Sequence, residues 1–254
     1  MSEFLKKILY HKKNEVALMT YESLIPSRKT YSFYDFLKEN PEEIHIIAEV
    51  KKASPSLGEI NSEVNVVEQA LAYQDAGASM ISVLTDSAFF KGHIEDLKSV
   101  SSKVNIPTLA KDFIIDEKQI DRALNAGATV ILLIVAALSP KRLENLYRYA
   151  TSIGLEVLVE THNEDELAIA HKIGAKIIGV NNRNLTTFET NLQTSIDLAK
   201  FCKEDAVYIS ESAIFTSQDV KQLAPFYQGI LVGTALMKSS DVKKTLKELK
   251  SGKD

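Results

Sequence analysis

Residues of the kinds used in general acid–base chemistry end several short apolar segments of this chain. Lys111 ends PTLAK (107–111), and Glu160 ends EVLVE (156–160). A lone charge is not expected inside a buried strand, because an unpaired buried charge is costly. The other polar residues at such ends are Glu49, Lys51, Asn181, Arg183, Glu211 and Ser212. We therefore predict that the ends of these segments meet in one polar pocket.

Lys111 and Glu160 are the strongest candidates for an acid–base pair. A lysine in this position can donate a proton to a substrate oxygen, and Glu160 can remove one elsewhere. Burial and a neighbouring cation such as Lys51 would lower the pKa of Lys111 toward the working pH. The alternative is a structural ion-pair network of these residues with Glu49, because such networks also perturb pKa values. The series of polar segment ends favours the functional interpretation.

The last two apolar segments predict an anion site. ISESAIFTSQDV (209–220) and GILVGTALMKSS (229–240) both pass from a strand into a helix through small and hydroxyl residues, among them Gly233 and Thr234. Free backbone N–H groups and a helix dipole at such a turn favour a phosphate dianion. The alternative is that these residues only cap helices. We expect a phosphate site at these two loops.

Three other features could contact a ligand. The loop KKASPSLGEI (51–60) could grip a carboxylate with Lys51, or it could be an ordinary turn. Phe89 and Phe113 could flank an aromatic ligand, or they could belong to the core or a lid. The histidines form no HExxH motif, so no metal site is evident. His93 and His162 lie near strand ends, but we expect solvated loop side chains at both.

Short β-branched apolar runs alternate with amphipathic helical patterns along the chain. We predict strands at 45–51, 80–85, 107–111, 130–135, 156–160, 177–181, 207–211 and 229–233. The helical patterns cover 64–77, 116–127, 139–154 and 163–174. In the last of these, Asn163 is a candidate N-cap and Glu166 would complete a capping box. Glycines in DAGAS (75–79), NAGAT (125–129) and KIGAK (172–176) are expected to end helices in the left-handed conformation.

This alternation favours a closed (β/α)8 TIM barrel over an open doubly wound sheet. An open sheet would want a Gly-rich phosphate turn after its first strand, and the sequence has neither GxGxxG nor GxxxxGK[ST]. Residues 1–44 precede the first strand and are predicted to form a helical extension across the barrel. We expect a single domain over residues 1–254.

Composition narrows the classes of partner. The net charge of −4 argues against a nucleic-acid partner, although a local cationic pocket for a small anion is compatible with it. The single cysteine, Cys202, cannot form an internal disulfide, so we expect a reducing cytoplasm. No N-terminal segment is apolar enough for a signal peptide or a membrane span. A monomer and a weak homodimer both stay open.

Together these segments resemble the indole-3-glycerol phosphate synthase family of tryptophan biosynthesis. The resemblance spans almost the whole chain and rests on IIAEVKKASPSLG, ISVLTDSAFFKG, IPTLAKDF, ILLIVAAL, GLEVLVETHNEDEL, IIGVNNRNL, ISESAI and LVGTALM. It implies a (β/α)8 barrel with an N-terminal helical extension. It also implies a lyase reaction, in which 1-(2-carboxyphenylamino)-1-deoxyribulose 5-phosphate closes to indole-3-glycerol phosphate and loses carbon dioxide and water. No cofactor and no metal are expected.

The resemblance also implies roles for individual residues. Lys111 would be the general acid for ring closure, Glu160 would transfer protons during dehydration, and the division of the acid role with Lys51 stays open. The residues expected to orient these groups or contact the substrate are Glu49, Asn181, Lys51, Ser54, Arg183 and Glu211, with Phe89 and Phe113 beside its aromatic ring. The residues expected to hold the phosphate are Ser212, Ala213, Gly233 and Thr234.

Ala213 stands where the family usually has glycine, in Glu211-Ser212-Ala213. If this position requires a positive φ, the methyl group is harmful, and if it is right-handed helical, alanine is harmless. Milder departures are Thr234 and His93, at positions where the family tends to have serine.

Two other functions remain. One is an isomerase acting on a related aminoribulose phosphate, which would need a Cys/Asp pair, and Cys202 lies away from any predicted strand end. The other is a non-catalytic protein that binds a phosphorylated ligand.

Overall fold

The computed structural model describes residues 2–25, 31–54, 58–59 and 65–253, without the side chains of residues 54, 58 and 59. Eight parallel strands form a closed barrel in the order β1-β10-β9-β8-β7-β6-β5-β4. They are β1 His45–Val50, β4 Met80–Leu84, β5 Thr108–Lys111, β6 Val130–Ile134, β7 Glu156–Thr161, β8 Ile177–Asn181, β9 Val207–Glu211 and β10 Gly229–Val232. A two-stranded antiparallel ribbon, β2 Ala53–Ser54 and β3 Gly58–Glu59, follows the first strand. The predicted (β/α)8 barrel is confirmed.

Helices alternate with the strands on the outside of the barrel, and two further helices in the described ranges precede the first strand. They are α1 Glu3–Leu18, α2 Phe33–Glu39, α3 Val66–Asp75, α4 Ser87–Phe90, α5 Ile94–Ser101, α6 Glu117–Asn125, α7 Pro140–Ser152, α8 Glu164–Lys172, α9 Gln193–Leu198, α10 Ser217–Leu223, α11 Thr234–Met237 and α12 Val242–Lys250. Among the described residues, no helix is both long enough and apolar enough to cross a membrane.

Most ends of the strands and helices lie where the sequence predicts them. Each predicted strand agrees with an observed one to within a residue at either end. Gly77, Gly127 and Gly174 end helices with φ of 93°, 88° and 75°, as predicted. The predicted capping box at α8 is wrong in part. Asn163 does cap the helix, but the Glu166 carboxylate accepts from the backbone N–H of His162, one residue further back.

The two-residue period of the strands decides which side chains face the inside of the barrel. On β1, Ile47 belongs to the inner apolar cluster, whereas Ile46 and Ala48 pack between the sheet and the helices. The residue two positions after Ile47 is Glu49, which therefore also faces inward, near the carboxyl end of the strand. The same step leads from Leu109 to Lys111, from Leu158 to Glu160, from Ile177 through Gly179 to Asn181, and from Ile209 to Glu211.

The N-terminal extension contributes to both ends of the barrel. Phe33 and Leu37 of α2 join the inner apolar cluster. The side chain of Glu156, the first residue of β7, accepts hydrogen bonds from the backbone N–H groups of Phe33 and Tyr34. Helix α1 instead lies over the carboxyl ends of the strands. Its apolar residues there line a cavity, called the main cavity because the polar strand ends open into it.

A buried ion-pair cluster attaches α1 to the barrel. The Lys12 side chain is only 1% exposed, and its Nζ lies 2.8 Å from Glu15 Oε2, 3.0 Å from Asp86 Oδ2 and 2.8 Å from Asp112 Oδ1. Burial by itself would lower the pKa of Lys12, but Asp112 and Asp86 raise it above its ordinary value. Asp86 also caps α4, and Asp112 follows Lys111 directly, so Lys12 connects α1 to two loops beside the cavity.

Replacing Lys12 with methionine is expected to lower the free energy of unfolding by about 3–5 kcal/mol, because it leaves buried carboxylates without their cation. Urea unfolding followed by circular dichroism measures the change. Lys13→Met is the matched control, since Lys13 is exposed on the same helix and its loss should cost under about 0.5 kcal/mol. Equal midpoints for the two variants would show that the buried cluster does not stabilise the fold.

Candidate active site

The main cavity opens at the carboxyl ends of the barrel strands. Most of the residues singled out from the sequence line it: Glu49, Lys51, Lys111, Phe113, Glu160, Asn181, Arg183, Glu211, Ser212, Ala213, Gly233 and Thr234. Residues far apart in the chain meet here because parallel strands end at the same rim. Of the predicted carboxylate-gripping loop (51–60), residues 55–57 and 60 and the side chains of residues 54, 58 and 59 lie outside the described residues.

Lys111 lies at the centre of a buried charged cluster. Its ammonium donates to the carboxylate of Glu211 and lies 3.4 Å from Glu160 Oε2. Its side chain is 13% exposed, and the two carboxylates are almost fully buried. A second pair stands beside it, with Lys51 Nζ 2.6 Å from Glu49 Oε1. The cavity thus contains alternating cations and carboxylates.

The expected lowering of the Lys111 pKa is wrong. Burial does act in that direction, but the carboxylates of Glu211, Glu160 and Glu49 more than offset it and raise the pKa above its ordinary value. The sequence does not show that the nearest charges are anions rather than Lys51. Lys111 is therefore an ammonium at neutral pH, which is the form that can donate a proton.

The carboxylates around Lys111 have pKa values shifted in opposite directions. Burial would raise the pKa of Glu160, but Lys111 and His162 hold it well below its ordinary value. For Glu211, burial raises the pKa, and the like charge of Glu160 adds to the effect despite Lys111. Among the described residues, Glu211 Oε1 has no hydrogen-bond partner, which agrees with poor stabilisation of its charge. Glu160 is thus the carboxylate of the two that is held more firmly in the ionised form.

Gly233 is required for space at the rim. A Cβ atom there would lie 2.6 Å from Glu49 Oε1 and 3.1 Å from Lys51 Nζ. Its φ of −116° is accessible to any residue, so the constraint is close approach rather than backbone conformation. A side chain at this position would displace the Glu49–Lys51 pair.

The turn after β9 adopts a strained conformation. Ser212 and Ala213 have φ of 67° and 62°, so both are left-handed. A residue with a Cβ pays about 1–2 kcal/mol for this conformation. Ala213 therefore has the positive φ at which glycine would fit better, and not the right-handed conformation in which alanine is harmless.

Ala213→Gly is expected to raise the free energy of unfolding by about 1 kcal/mol, because glycine relieves the left-handed strain. The midpoint of urea unfolding measures the gain. Ala126→Gly is the matched control, because Ala126 ends α6 with φ of −79° and the same substitution there should destabilise. A loss of stability in both variants would contradict the strain at Ala213.

Aromatic residues surround the cavity, but not all of those predicted. Phe113 and Phe90 line it with ring centroids 6.0 Å apart. Phe89 does not line it, and its ring packs instead against Phe4 of α1, with centroids 5.7 Å apart. In the four-residue helix α4, adjacent side chains point in different directions, so only one of the two phenylalanines reaches the cavity.

Helix α1 supplies lining residues that the sequence reasoning missed. Phe4, Leu5 and Ile8 face the cavity, and Phe4 also packs against Phe188 with ring centroids 4.8 Å apart. The signal was present as an apolar stripe in the first helix. Nothing local indicated that the stripe covers the carboxyl ends of the strands rather than the outside of the barrel.

His162 is not the solvated loop residue that was expected. Its side chain is 12% exposed and lies between two carboxylates, those of Glu160 and Glu166. His45 is also buried and contacts Ser79 Oγ, whereas His93 is exposed as predicted. Within the described part of the chain, no group of three or more His, Cys, Asp or Glu side chains is arranged to hold a metal ion.

Comparison with known proteins gives closely similar sequences. The family model for indole-3-glycerol phosphate synthase matches residues 5–249. Proteins described as indole-3-glycerol phosphate synthase from Streptococcus gordonii and Streptococcus sanguinis are each 63% identical over 251 residues. These matches cover 99% of this chain and 98% of each relative.

Solved structures with low sequence identity share the barrel. Thiamine phosphate pyrophosphorylase from Pyrococcus furiosus superimposes with a TM-score of 0.63 at 17% identity, covering 84% of this chain and 96% of that one. For 3-hexulose-6-phosphate synthase from Salmonella typhimurium the TM-score is 0.65 at 16% identity, covering 82% and 98%. At these identities the likeness concerns the fold alone.

Proposed function

The chain belongs to the indole-3-glycerol phosphate synthase family, and we propose a role in the reaction for each of its pocket residues. The chain is a carboxy-lyase that closes 1-(2-carboxyphenylamino)-1-deoxyribulose 5-phosphate to indole-3-glycerol phosphate, with loss of carbon dioxide and water. The roles below are supported above all by one observation: Lys111, Glu160 and Glu211 meet in the cavity that also contains Lys51 and Glu49.

The proton balance of the reaction sets the chemistry that these residues must perform. The aromatic carbon that carries the carboxylate bonds to the ribulose carbonyl carbon, and the bond to the carboxylate then breaks to release carbon dioxide. The carbonyl oxygen takes up two protons and leaves as water, and the adjacent methylene carbon loses one proton. The site therefore needs a strong donor at the oxygen and an ionised acceptor at the carbon.

Lys111 is proposed as the donor for ring closure. Charge develops on the carbonyl oxygen when the new bond forms, and an ammonium aimed at that oxygen stabilises it and can protonate it. The anions around Lys111 keep it protonated, as this role requires. Lys51 faces the same cavity and is proposed to share the acid role when the hydroxyl group leaves.

Glu160 is proposed as the acceptor during dehydration. Its carboxylate is buried 3.4 Å from Lys111 and remains ionised, so it can take the methylene proton. Glu211, Glu49 and Asn181 are proposed to orient the two lysines and Glu160. Asn181 helps to lower the pKa of Glu160, and Glu49 holds Lys51.

The two ends of the substrate are proposed to bind to different groups that line this cavity. The phosphate is assigned to the turns at Ser212–Ala213 and Gly233–Thr234, and the carboxylate to Lys51 and Arg183, with Phe113 and Phe90 beside the aromatic ring. Ser54 is proposed to contact the carboxylate, and Phe89 is proposed to support α1 through its contact with Phe4. Fixing both ends can lower the barrier by up to about 7–11 kcal/mol.

Mixing the purified chain with its carboxyphenylamino substrate tests the activity. Indole fluorescence should rise at a rate proportional to enzyme concentration. An isomerase would instead turn over a related aminoribulose phosphate and form no indole. Calorimetry that shows ligand binding without turnover would favour a non-catalytic binder.

Three further properties belong to this proposal. We expect the chain to form one domain, because α1 and α2 of the extension both pack on the barrel. We expect a cytoplasmic location, because the lone cysteine, Cys202, suits a reducing compartment. A monomer or a weak homodimer is the expected assembly.

A further inference from the structure

His162 occupies the turn between β7 and α8 and touches the site from outside the main cavity. Its Nε2 lies 3.3 Å from Glu160 Oε1, and its Nδ1 lies 2.9 Å from Glu166 Oε2. Its backbone N–H also donates to Glu166 Oε2 over 2.9 Å. His162 lines a second, polar cavity together with Asn163 and Glu166, and it is absent from the lining of the main cavity.

We propose that His162 is a positioning residue that holds Glu160 ionised and correctly oriented for proton removal, and that Glu166 fixes the imidazole for this task. The inference rests on the proposed role of Glu160 as the acceptor. His162 itself does not contact the space assigned to the substrate.

Two carboxylates flank the His162 ring and set its protonation state. Nδ1 is hydrogen-bonded to Glu166, whereas Nε2 has no hydrogen-bond partner among the described residues and lies 3.3 Å from Glu160 Oε1 as a charge contact. A neutral ring would leave Glu160 Oε1 beside an uncharged nitrogen, whereas the imidazolium places positive charge beside both carboxylates. The surrounding charges act the same way. Burial would lower the pKa of His162, but Glu160 and Glu166 raise it to about 10.

The orientation of the Glu160 carboxylate also depends on His162. Its Oε1 faces His162 and its Oε2 faces Lys111, so a cation lies on each side. Lys111 is also engaged by Glu211 and cannot fix the plane of Glu160 alone. With His162 absent, Glu160 Oε1 loses its cation, and the plane of the carboxylate is no longer fixed from both sides.

The turn that carries His162 is built to hold its ring. The usual partner of an N3 glutamate is the backbone N–H of the cap residue, here Asn163. Glu166 instead reaches back to His162 and binds both its backbone and its ring, and its other oxygen accepts from Asn163 Nδ2. This arrangement fixes the ring against Glu160, whereas a capping box would serve the helix alone.

Several charges face Glu160 from the elements around it. Lys111 comes from β5, Glu211 from β9, Glu49 from β1 and His162 from its own turn, with Glu166 behind it on α8. Lys111 and His162 favour the ionised carboxylate, and the other acids oppose it. Loss of the His162 cation therefore raises the pKa of Glu160, and the acidic limb of the activity profile moves to higher pH.

The test is the pH dependence of kcat and kcat/KM for His162→Gln, which keeps a hydrogen-bonding group but removes the charge. We expect kcat at pH 7 to fall about tenfold, KM to change less than about threefold, and the acidic limb to move up by about one pH unit or more. Glu166→Gln should shift the limb in the same direction by less. His171→Gln is the matched control on α8, where His171 contacts Tyr208 away from the site.

A double variant separates positioning from a structural effect. In a Glu160→Gln background, adding His162→Gln should cause no further loss of kcat, because the group it acts through is already gone. A pH profile of His162→Gln that superimposes on that of the unmodified chain, or a fully additive loss in the double variant, overturns the inference. If His162→Gln does not fold, the profile of Glu166→Gln decides by the same criterion. If Glu160→Gln retains full activity, the proposed role of Glu160 fails instead.

Discussion

Replacement of Lys111 by methionine is expected to lower kcat for indole-3-glycerol phosphate formation by at least about 10³-fold. The ammonium is the group placed to protonate the carbonyl oxygen, and the carboxylates around it keep it protonated. Methionine preserves much of the volume of the stem but can neither donate a proton nor stabilise the developing charge. Steady-state fluorescence with saturating substrate measures the loss.

Two variants make the Lys111 result interpretable. Lys111→Arg keeps the positive charge among Glu160 and Glu211, and it should remain folded and nearly inactive, because a guanidinium does not give up its proton readily. Lys172→Met, at an exposed lysine of α8, should leave the rate unchanged. A Lys111→Met enzyme that keeps a rate within about tenfold of the unmodified chain would remove the lysine from its assigned role.

Glu160→Gln is expected to lower the rate of indole formation by about 10²–10⁴-fold. The amide is nearly isosteric and can still accept a hydrogen bond from Lys111, but it cannot take the methylene proton. Because Glu160 is assigned to dehydration, ring closure and decarboxylation should be affected much less. In a single turnover, labelled carbon dioxide should therefore appear well before indole fluorescence does.

The order of these two signals distinguishes the roles of the acid and the base. Lys111→Met should suppress both carbon dioxide and indole, whereas Glu160→Gln should suppress indole selectively. Glu164→Gln, at an exposed acid of α8, is the control and should show both signals at the normal rate. If carbon dioxide release in Glu160→Gln falls as far as indole formation, Glu160 acts in an earlier step than proposed.

The strands show how far periodicity alone carries a prediction. Leu158 and Glu160 stand two residues apart on β7, so a strand that buries Leu158 inside the barrel must direct Glu160 to the same side. The same relation connects Leu109 with Lys111. The residues that line the site could therefore be predicted from the alternation of side chains along each strand, together with the rule that parallel barrel strands end at a common rim.

Properties that depend on distances between remote side chains could not be predicted in this way. The direction of the Lys111 pKa shift depends on Glu211 and Glu160, which lie 100 and 49 positions away in the chain. His162 resembled a solvated turn residue because its burial depends on how α8 and β7 pack together. Phe90 rather than Phe89 reaches the cavity because of the orientation of a single short helix.

By itself, the sequence determined the alternation of strands and helices, the glycines that end the helices, and which residues on each strand face inward. These follow from local stereochemistry and from the periods of strand and helix, which involve neighbouring residues only. Three features depend on the tertiary structure: the left-handed turn at Ala213, the position of α1 over the carboxyl ends of the strands, where Lys12 attaches it, and the charge state of the Lys111 cluster. Each of these depends on Coulomb interactions, burial or close contact between segments distant in the chain, and such terms have no local signature.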